Sequence, residues 1–595
     1  MTNKVMELNS ILGQNDDGKW VGHMWQQWNT QRNTWLEQKK ELEKYVFATD
    51  TTTTTNSSLP WKNKTTLPKL AQIRDNLHSN YLSALFPNDK WLKWTAFTKN
   101  DASHKKAKVI TSYMENKTRL GGFKQIASRL LYDYIDYGNA FAMPIFEKRY
   151  HTYKPEDSLV PSFIGPKAVR ISPLDIVFNP MAVSFVGSPK IVRSVKTVGE
   201  LKRLAQTVPE MAFWTKAIER REFINKHLGG FSTEDWAKAD QLMVDGFGNL
   251  YDYYQSGFVE ILEFYGDYHD QETGTLYVNK MITVVDRCMI VRNEDISTYD
   301  GSTPIYHVGW RLRPDNLWAM GPLDNLVGMQ YRIDHLENLK ADAMDLSVHP
   351  IYLVKGEVEE FQIYPGAQIM IDENGDVSEL GKNLGPMMAA DNQIESLKND
   401  MELFAGAPRE AMGVRSPGEK TALEVQTLNN AAGRIFQEKI NTFETDLMEP
   451  LLNSMLEVAR RNFDEMDVIS TLDNDLGATE FMTITKNDII ARGVIRPIGA
   501  RHFAQQAQDL QNLVGISSSP LWTLVAPHVS GKNLTKFIED STSIHGYEIF
   551  RPNVAIMEQQ ETQALMNQAS EDLEVAASGP AEPTTMPAPT PGAPA

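Results

Sequence analysis

From Gly321 to Ser347, apolar residues return at steps of 3, 4, 3, 3, 4 and 3: Leu326, Met329, Ile333, Leu336, Leu339, Ala343 and Leu346. Asp324, Arg332, Asp334, Glu337, Lys340 and Asp345 fall elsewhere around the turn. That period predicts a helix with one apolar face and charges on the others. About 25 residues at ~1.5 Å each make a rod of roughly 37 Å. His349-Pro350 ends it, because the residue before a proline is steered out of the helical region. A short strand-rich stretch follows, IYLVKGEVEEFQIYPGAQIMIDENGDVSEL, with turns at Pro365-Gly366 and ENGD. A second helix, Asp391 to Phe404, comes next, so a small head sits between two helices like a head on a stalk.

The Gly- and Pro-containing segment Ala405 to Lys420 reads as a loop, and a very long helix begins behind it. Thr421-Ala-Leu-Glu424 has capping-box spacing, which lets side chains satisfy free N–H groups of the first turn. Apolar periodicity then runs through Leu428, Ile435, Phe443, Leu447 and Leu451 to Phe463. Pro450 lies inside it and is expected to kink the helix. About 42 residues at ~1.5 Å each span some 63 Å, more than a compact domain needs.

The rest of the chain is mixed. An amphipathic helix is expected over Gly22 to Phe47, with Trp25, Trp28, Trp35, Leu36 and Leu42 on its apolar side. The Thr-rich stretch Ala48 to Pro60 reads as a loop. Helices follow over Leu67 to Phe86 and through Phe123, Ile126, Leu130, Leu131 and Tyr134 to a stop at Gly138. Strand character marks Lys167 to Pro180, Phe258 to Arg292 and Ile305 to Leu312. After an α/β return segment and a helix over Ala500 to Leu513, Pro520 to Gln568 reads as helical. Gly579 to Ala595 holds six prolines and no aromatic residue, which predicts disorder. The fold class expected is α+β.

Composition bounds the function. The 595 residues carry 59 Lys+Arg against 77 Asp+Glu, a formal charge of −18. Such a chain does not grip nucleic acid as its main business, because phosphate affinity needs excess cation. The single cysteine, Cys288, excludes a disulfide framework or a cysteine-based metal site. No apolar run reaches 18 residues and no signal-peptide core opens the chain, so it reads as soluble and intracellular when made.

Chemistry motifs are missing or broken. Gly413-Val-Arg-Ser-Pro-Gly418-Glu419-Lys420-Thr421 misses a phosphate-binding loop by one residue, and Glu419 would repel phosphates. His307, His335 and His349 are not at ligand spacing, and no nucleophile elbow occurs. Glu357, Glu359 and Glu360 read as a solvated strand edge. Basic residues gather from Lys62 to Lys108 around Trp61, Trp91 and Trp94. They read as a nucleic-acid patch or, preferably, as a subunit contact answering acidic surface elsewhere. No enzyme activity and no cofactor is expected.

The order of these parts resembles the portal proteins of tailed bacteriophages, of the short-tailed phage type. LPKLAQIRDNLHSNYLSALFPNDKWLKW is similar to their N-terminal helices, and LLYDYIDYGNAFAMPIF to the helix–glycine–strand that follows. VRISPLDIVFNPMA resembles a strand and turn of the wing, and GPLDNLVGMQYRIDHLENLKADAM the first stem helix. GEKTALEVQTLNNAAGRIFQEKINTFETDLMEPLL resembles the long helix, and KNDIIARGVIRPIGARHFAQQAQDLQNL the return segment. The likeness covers Leu67 to Leu513; the polar start before Gly22 and the proline-rich end depart from it.

The resemblance implies an α/β wing over 1–320, a first stem helix over 321–347, a clip over 348–390 and a second stem helix over 391–404. It implies a tunnel loop over 405–420, the long kinked helix and wing return over 421–515, a helical crown over 516–570 and a disordered tail over 571–595. Arg409, Arg415 and Lys420 would then line a DNA channel, and Lys355, Glu357, Glu359, Ile351 and Leu353 would dock a motor or tail. Implied partners are further copies of the chain in a twelve-membered ring, a terminase packaging motor, tail adaptor or nozzle proteins, and major capsid and scaffolding proteins. Double-stranded DNA would pass through the channel, and no membrane is involved. The expected place is the capsid portal vertex of the virion, reached from the host cytoplasm during assembly. The alternatives are a P-loop packaging ATPase or nuclease, a capsid scaffold, or a neck adaptor.

Overall fold

The computed structural model describes residues 18–86, 91–97, 101–151, 160–207, 211–228, 256–269, 274–296, 303–348, 352–355, 376–379, 385–405, 436–463, 466–472, 479–490 and 492–497. The chain divides into two units, one of residues 1–471 and 481–501, the other of 472–480 and 502–595. Of the second unit only residues 472, 479 and 480 are described, so the helical end and proline-rich tail lie outside the described residues. The first unit is α+β.

The expected N-terminal helix is two helices, α1 (Lys19–Gln31) and α2 (Asn33–Val46), parted at Arg32. They serve different cores. Val21, Trp25 and Trp28 of α1 pack with Val177, Ile191, Leu262 and Phe264, whereas Leu42, Tyr45 and Val46 of α2 join the main core. Arg32 is buried at the break, and its guanidinium donates to the carbonyls of Pro173 and Ile176, both at 2.7 Å, and of Leu174 at 2.6 Å.

The main core gathers α3 (Lys69–Leu85), α4 (Asp101–Leu120) and α5 (Phe123–Asp136). In α3 the buried Leu70, Ile73, Leu77, Tyr81 and Leu85 recur every three or four residues. The helix ends at Phe86, where Pro87 forbids continuation. Between α3 and α4 runs β1 (Leu92–Ala96), paired antiparallel with β16 (Gly493–Pro497), so the return segment closes onto the N-terminal part.

Strands follow α5. β2 (Asn139–His151) lies between β3 (Val160–Ile171) and β9 (Tyr306–Gly309) in a three-stranded sheet. A five-stranded antiparallel sheet orders β4 (Ile176–Phe178), β5 (Lys190–Thr197), β6 (Phe258–His269), β7 (Leu276–Val285) and β8 (Met289–Asp295). Alternation along β6 divides its faces. Leu262 and Phe264 meet α1 on one face. On the other, Val259 and Ile261 meet α6 (Val198–Thr207) and α7 (Trp214–Leu228), while Tyr265 meets the three-stranded sheet. A small hairpin of β10 (Arg311–Arg313) and β11 (Asn316–Met320) leads towards the stalk.

The stalk contains α8 (Val327–Val348), β12 (Tyr352–Lys355), β13 (Asp376–Glu379) and α9 (Gly385–Phe404). A 3-10 turn, Asp324–Leu326, precedes α8. The long helix is described from residue 436, and its expected start at Thr421 lies outside the described residues. Pro450 shows its effect as a π turn, Glu444–Met448, directly before α10 (Glu449–Asn462). Proline lacks the N–H for the preceding turn and crowds that turn's carbonyl, and a wider turn relieves both problems. Beyond it come β14 (Met466–Leu472), β15 (Thr479–Thr485) and α11 (Lys486–Ile489).

The expected stop at Gly138 is where the backbone turns left-handed, at φ +70°. It also lies against the entry to the stalk, since a Cβ at Gly138 would come within 2.4 Å of the Gly321 nitrogen. Gly138→Ala is therefore expected to lose at least about 2 kcal/mol through strain and forced separation. Urea denaturation checks this; an unchanged midpoint would contradict the close approach.

Candidate functional site: the two-helix stalk and its base

The stalk helices run in opposite directions. Lys340, late in α8, reaches Asp391, early in α9, at 2.9 Å, and also Glu337 at 2.8 Å. At the other end, Glu402 of α9 pairs with Lys69 at the start of α3, beside the part of α8 that holds Leu70. Leu336 of α8 and Ile394 and Met401 of α9 are buried in the main core.

A polar ladder runs down α8, at Gln330, Asp334, Asn338 and Asp342. Four-residue spacing puts all four side chains on one helix face. They hold residues 62–70, the segment that leads into α3 and its first turn, rung by rung. Gln330 accepts from the Leu70 N–H at 3.2 Å and donates to the Leu67 carbonyl. Asp334 accepts from the Leu67 N–H at 3.0 Å and the Thr66 hydroxyl at 2.7 Å. Asn338 exchanges both bonds with the Thr65 backbone, at 2.8 and 2.7 Å. Asp342 accepts from the N–H groups of Lys62 at 3.0 Å and Asn63 at 2.9 Å.

The first three rungs are buried and the last is not, which changes their electrostatics. Gln330, Asp334 and Asn338 are at most 1% exposed. Burial pushes the Asp334 carboxyl up from its ordinary range, against the pull of the Leu67, Thr66 and Gln330 donors. At Asp342 desolvation, the largest single effect, raises the carboxyl, but the Asn63 and Lys62 donors together outweigh it and the carboxyl is lowered.

Charged pairs fix the stalk base. Lys39 of α2 pairs with Asp324, which also accepts from the Gly321 N–H at 2.7 Å. Burial lowers the Lys39 ammonium while Asp324 raises it; burial prevails. Arg74 forks onto Asp136 with two bonds of 2.7 Å, and Arg170 forks onto the buried Asp133. Asp133 and Asp136 are both raised, burial outweighing their arginines.

These findings change the expected helix face. Ile333 and Leu336 of the apolar stripe are buried, but Leu339 and Leu346 are exposed, and Asp334, expected among the outer charges, is wholly buried. The signal was in the sequence as amide or carboxylate side chains at every fourth position, opposite the short segment between Pro60 and Pro68.

The expected docking residues fall on the head. Lys355 is exposed at the end of β12, opposite Asp376 of β13, and Leu353 lies on the same strand opposite Ser378. Ile351, Glu357 and Glu359 lie outside the described residues, as do Arg409, Arg415 and Lys420. The basic region is not one patch. Lys69 and Arg74 answer Glu402 and Asp136, and Lys64 and Lys106 donate to backbone carbonyls. Trp61, Trp91 and Trp94 are buried, while Lys62, Lys93 and Lys108 are exposed. No group of three or more metal-ligating side chains occurs among the described residues. None of their helices is long and apolar enough to cross a membrane.

The ladder predicts a graded response to truncation. Asp334→Ala leaves the Leu67 N–H, the Thr66 hydroxyl and the Gln330 amide without their buried acceptor, an expected loss of about 3 kcal/mol. Asp342→Ala, at the exposed end, is expected to cost about 1 kcal/mol or less because water replaces the carboxylate. Urea midpoints of the two variants check the order, and equal losses would contradict it. A scan against protein-family models and a search of curated proteins return no match to this chain.

Proposed function

We propose that this chain is a subunit of a phage-type portal, a ring at one capsid vertex through which double-stranded DNA is packaged and later ejected. The observation that carries the reading is the stalk: two opposed helices, tied at their base into an α+β body, with a two-stranded sheet between them in the chain. That architecture and the ordered likeness of segments rest on different grounds, one on geometry and one on sequence. In this reading β12 and β13 belong to the clip, where the packaging motor and then the tail dock. The loop holding Arg409, Arg415 and Lys420 lines the channel. Its cations touch phosphates weakly and without regard to base sequence.

The surface of the stalk supports assembly. Leu339, Met344 and Leu346 of α8 and Met388, Leu403 and Phe404 of α9 are all exposed in the isolated chain. Apolar side chains exposed at both ends of the helix pair suit burial by neighbouring copies. A ring needs head-to-tail contacts that close on themselves. The formal charge of −18 leaves each subunit with an acid surplus. A channel of like charge lets DNA slide.

The ring is tested by native mass spectrometry and negative-stain imaging of the full chain. Twelve subunits of 67.2 kDa would give about 0.8 MDa with a central hole. Monomer alone at every salt concentration would end the reading. Leu339→Asp with Phe404→Asp is expected to abolish rings while leaving the helical circular dichroism unchanged.

Loss of the three loop cations, Arg409→Ala, Arg415→Ala and Lys420→Ala together, is expected to leave rings intact and lower the DNA retained per capsid. Normal filling would remove the channel assignment. Nucleotide hydrolysis abolished by Lys420→Ala alone would replace the portal reading with a packaging ATPase.

A further inference from the structure

Among the described residues, the buried Lys190 is held by backbone carbonyls rather than by a carboxylate. Lys190 opens β5 and is 0% exposed. Its ammonium donates to three backbone carbonyls of the loop joining β4 to β5: Phe185 at 2.6 Å, Ser188 at 2.9 Å and Val186 at 3.2 Å. It also lies 4.4 Å from the centre of the Phe185 ring, whose face attracts a cation. Three N–H donors meet three acceptors.

The loop above it is pinned from beneath and apolar on top. Phe185 is buried against Phe178 at 5.1 Å, and the Pro180 carbonyl accepts from the Leu317 N–H at 2.9 Å. Yet Met181, Val183 and Val186 are exposed, Val183 completely. Ordering a loop that presents apolar side chains needs an internal tie, and the ammonium is central to it.

Few titratable groups face Lys190. On β9, His307 is half-buried; its Nε2 donates to Asn139 Oδ1 at 3.0 Å, since the Asn139 amide nitrogen already donates to two carbonyls. Burial, then the Lys190 charge, holds His307 down at about 3, so it stays neutral. On β6, Tyr265 gives its hydroxyl to Glu263 at 3.0 Å, and burial raises both groups. The facing side chains of β4 are apolar.

We propose that Lys190 is a proton-dependent latch, which fixes the 179–189 loop as an ammonium and releases it as a neutral amine. The neutral amine keeps two N–H donors, so one of the three carbonyls loses its partner. Burial lowers Lys190 from 10.5 to about 7, which puts the change near neutral pH. Linkage then gives a distinctive pair of signs. Between about pH 7 and pH 10.5 the unfolded chain holds this proton and the folded chain does not, so this group's contribution to global stability rises with pH. Over the same range the loop's local order falls.

Hydrogen exchange by mass spectrometry on the full chain separates the two. Exchange is compared at about pH 6 and about pH 8.5, normalised to an unstructured peptide. Loop peptides covering 180–189 are expected to lose protection roughly tenfold, while peptides of β6 do not. Lys190→Met is expected to exchange fast at both pH values in the loop alone. Loop protection that does not change with pH in the unmodified chain would overturn the latch. So would a Lys190→Met variant that keeps the unmodified chain's pH dependence. If that variant fails to fold, the unmodified profile decides.

Discussion

The grip of the α8 ladder on the segment 62–70 is the contact on which the rest of the stalk depends. A helix that leaves a protein body needs something to set its angle and rotation. Apolar packing alone tolerates sliding, because it is non-directional. Four side chains at every fourth position, each bonded to a different part of one backbone, do not. A rotation about the helix axis or a slide of half a turn would break every rung at once and strand buried polar groups. Such groups are costly when unmatched.

Around that ladder the buried charges have a consistent arrangement. Lys39 and Asp324 join α2 to the entry of α8, Lys69 and Glu402 join α3 to the end of α9, and Arg74 and Asp136 join α3 to α5. Each pair bridges elements far apart in sequence at the foot of the stalk. Buried pairs of this kind add little net stability over an apolar core. They make wrong arrangements expensive, since separating partners leaves a buried charge alone. In a chain of net charge −18, cations used in this way do not reach the surface. Each pair withdraws one carboxylate with its cation, so the acid surplus of 18 is left to the rest of the chain.

Different parts of the long helix and the strands show how local rules met tertiary ones. Pro450 was a local rule, and it acted locally as the π turn before α10. Arg32 was not legible as a helix break, because no proline or glycine marks it. Its guanidinium is instead drawn to three carbonyls near β4, contacts over 140 residues away in sequence. The same holds for Lys190: a lysine beginning a strand reads as solvated until the carbonyls that enclose it are seen.

The amino-acid sequence by itself determined the α+β class, the two stalk helices with strands between them, the stops at Phe86 and Gly138, and the disturbance at Pro450. These follow from periodicity and from backbone restrictions of proline and glycine, which act within a few residues. Tertiary structure alone decided which helix faces are buried. Leu339 and Leu346 share the stripe of Ile333 but lie exposed, while Asp334 is buried opposite Thr66 and Leu67. Burial depends on which distant segment arrives at a face, and the helical period does not say what that segment will be. A polar residue belongs inside only when the arriving backbone matches its hydrogen bonds.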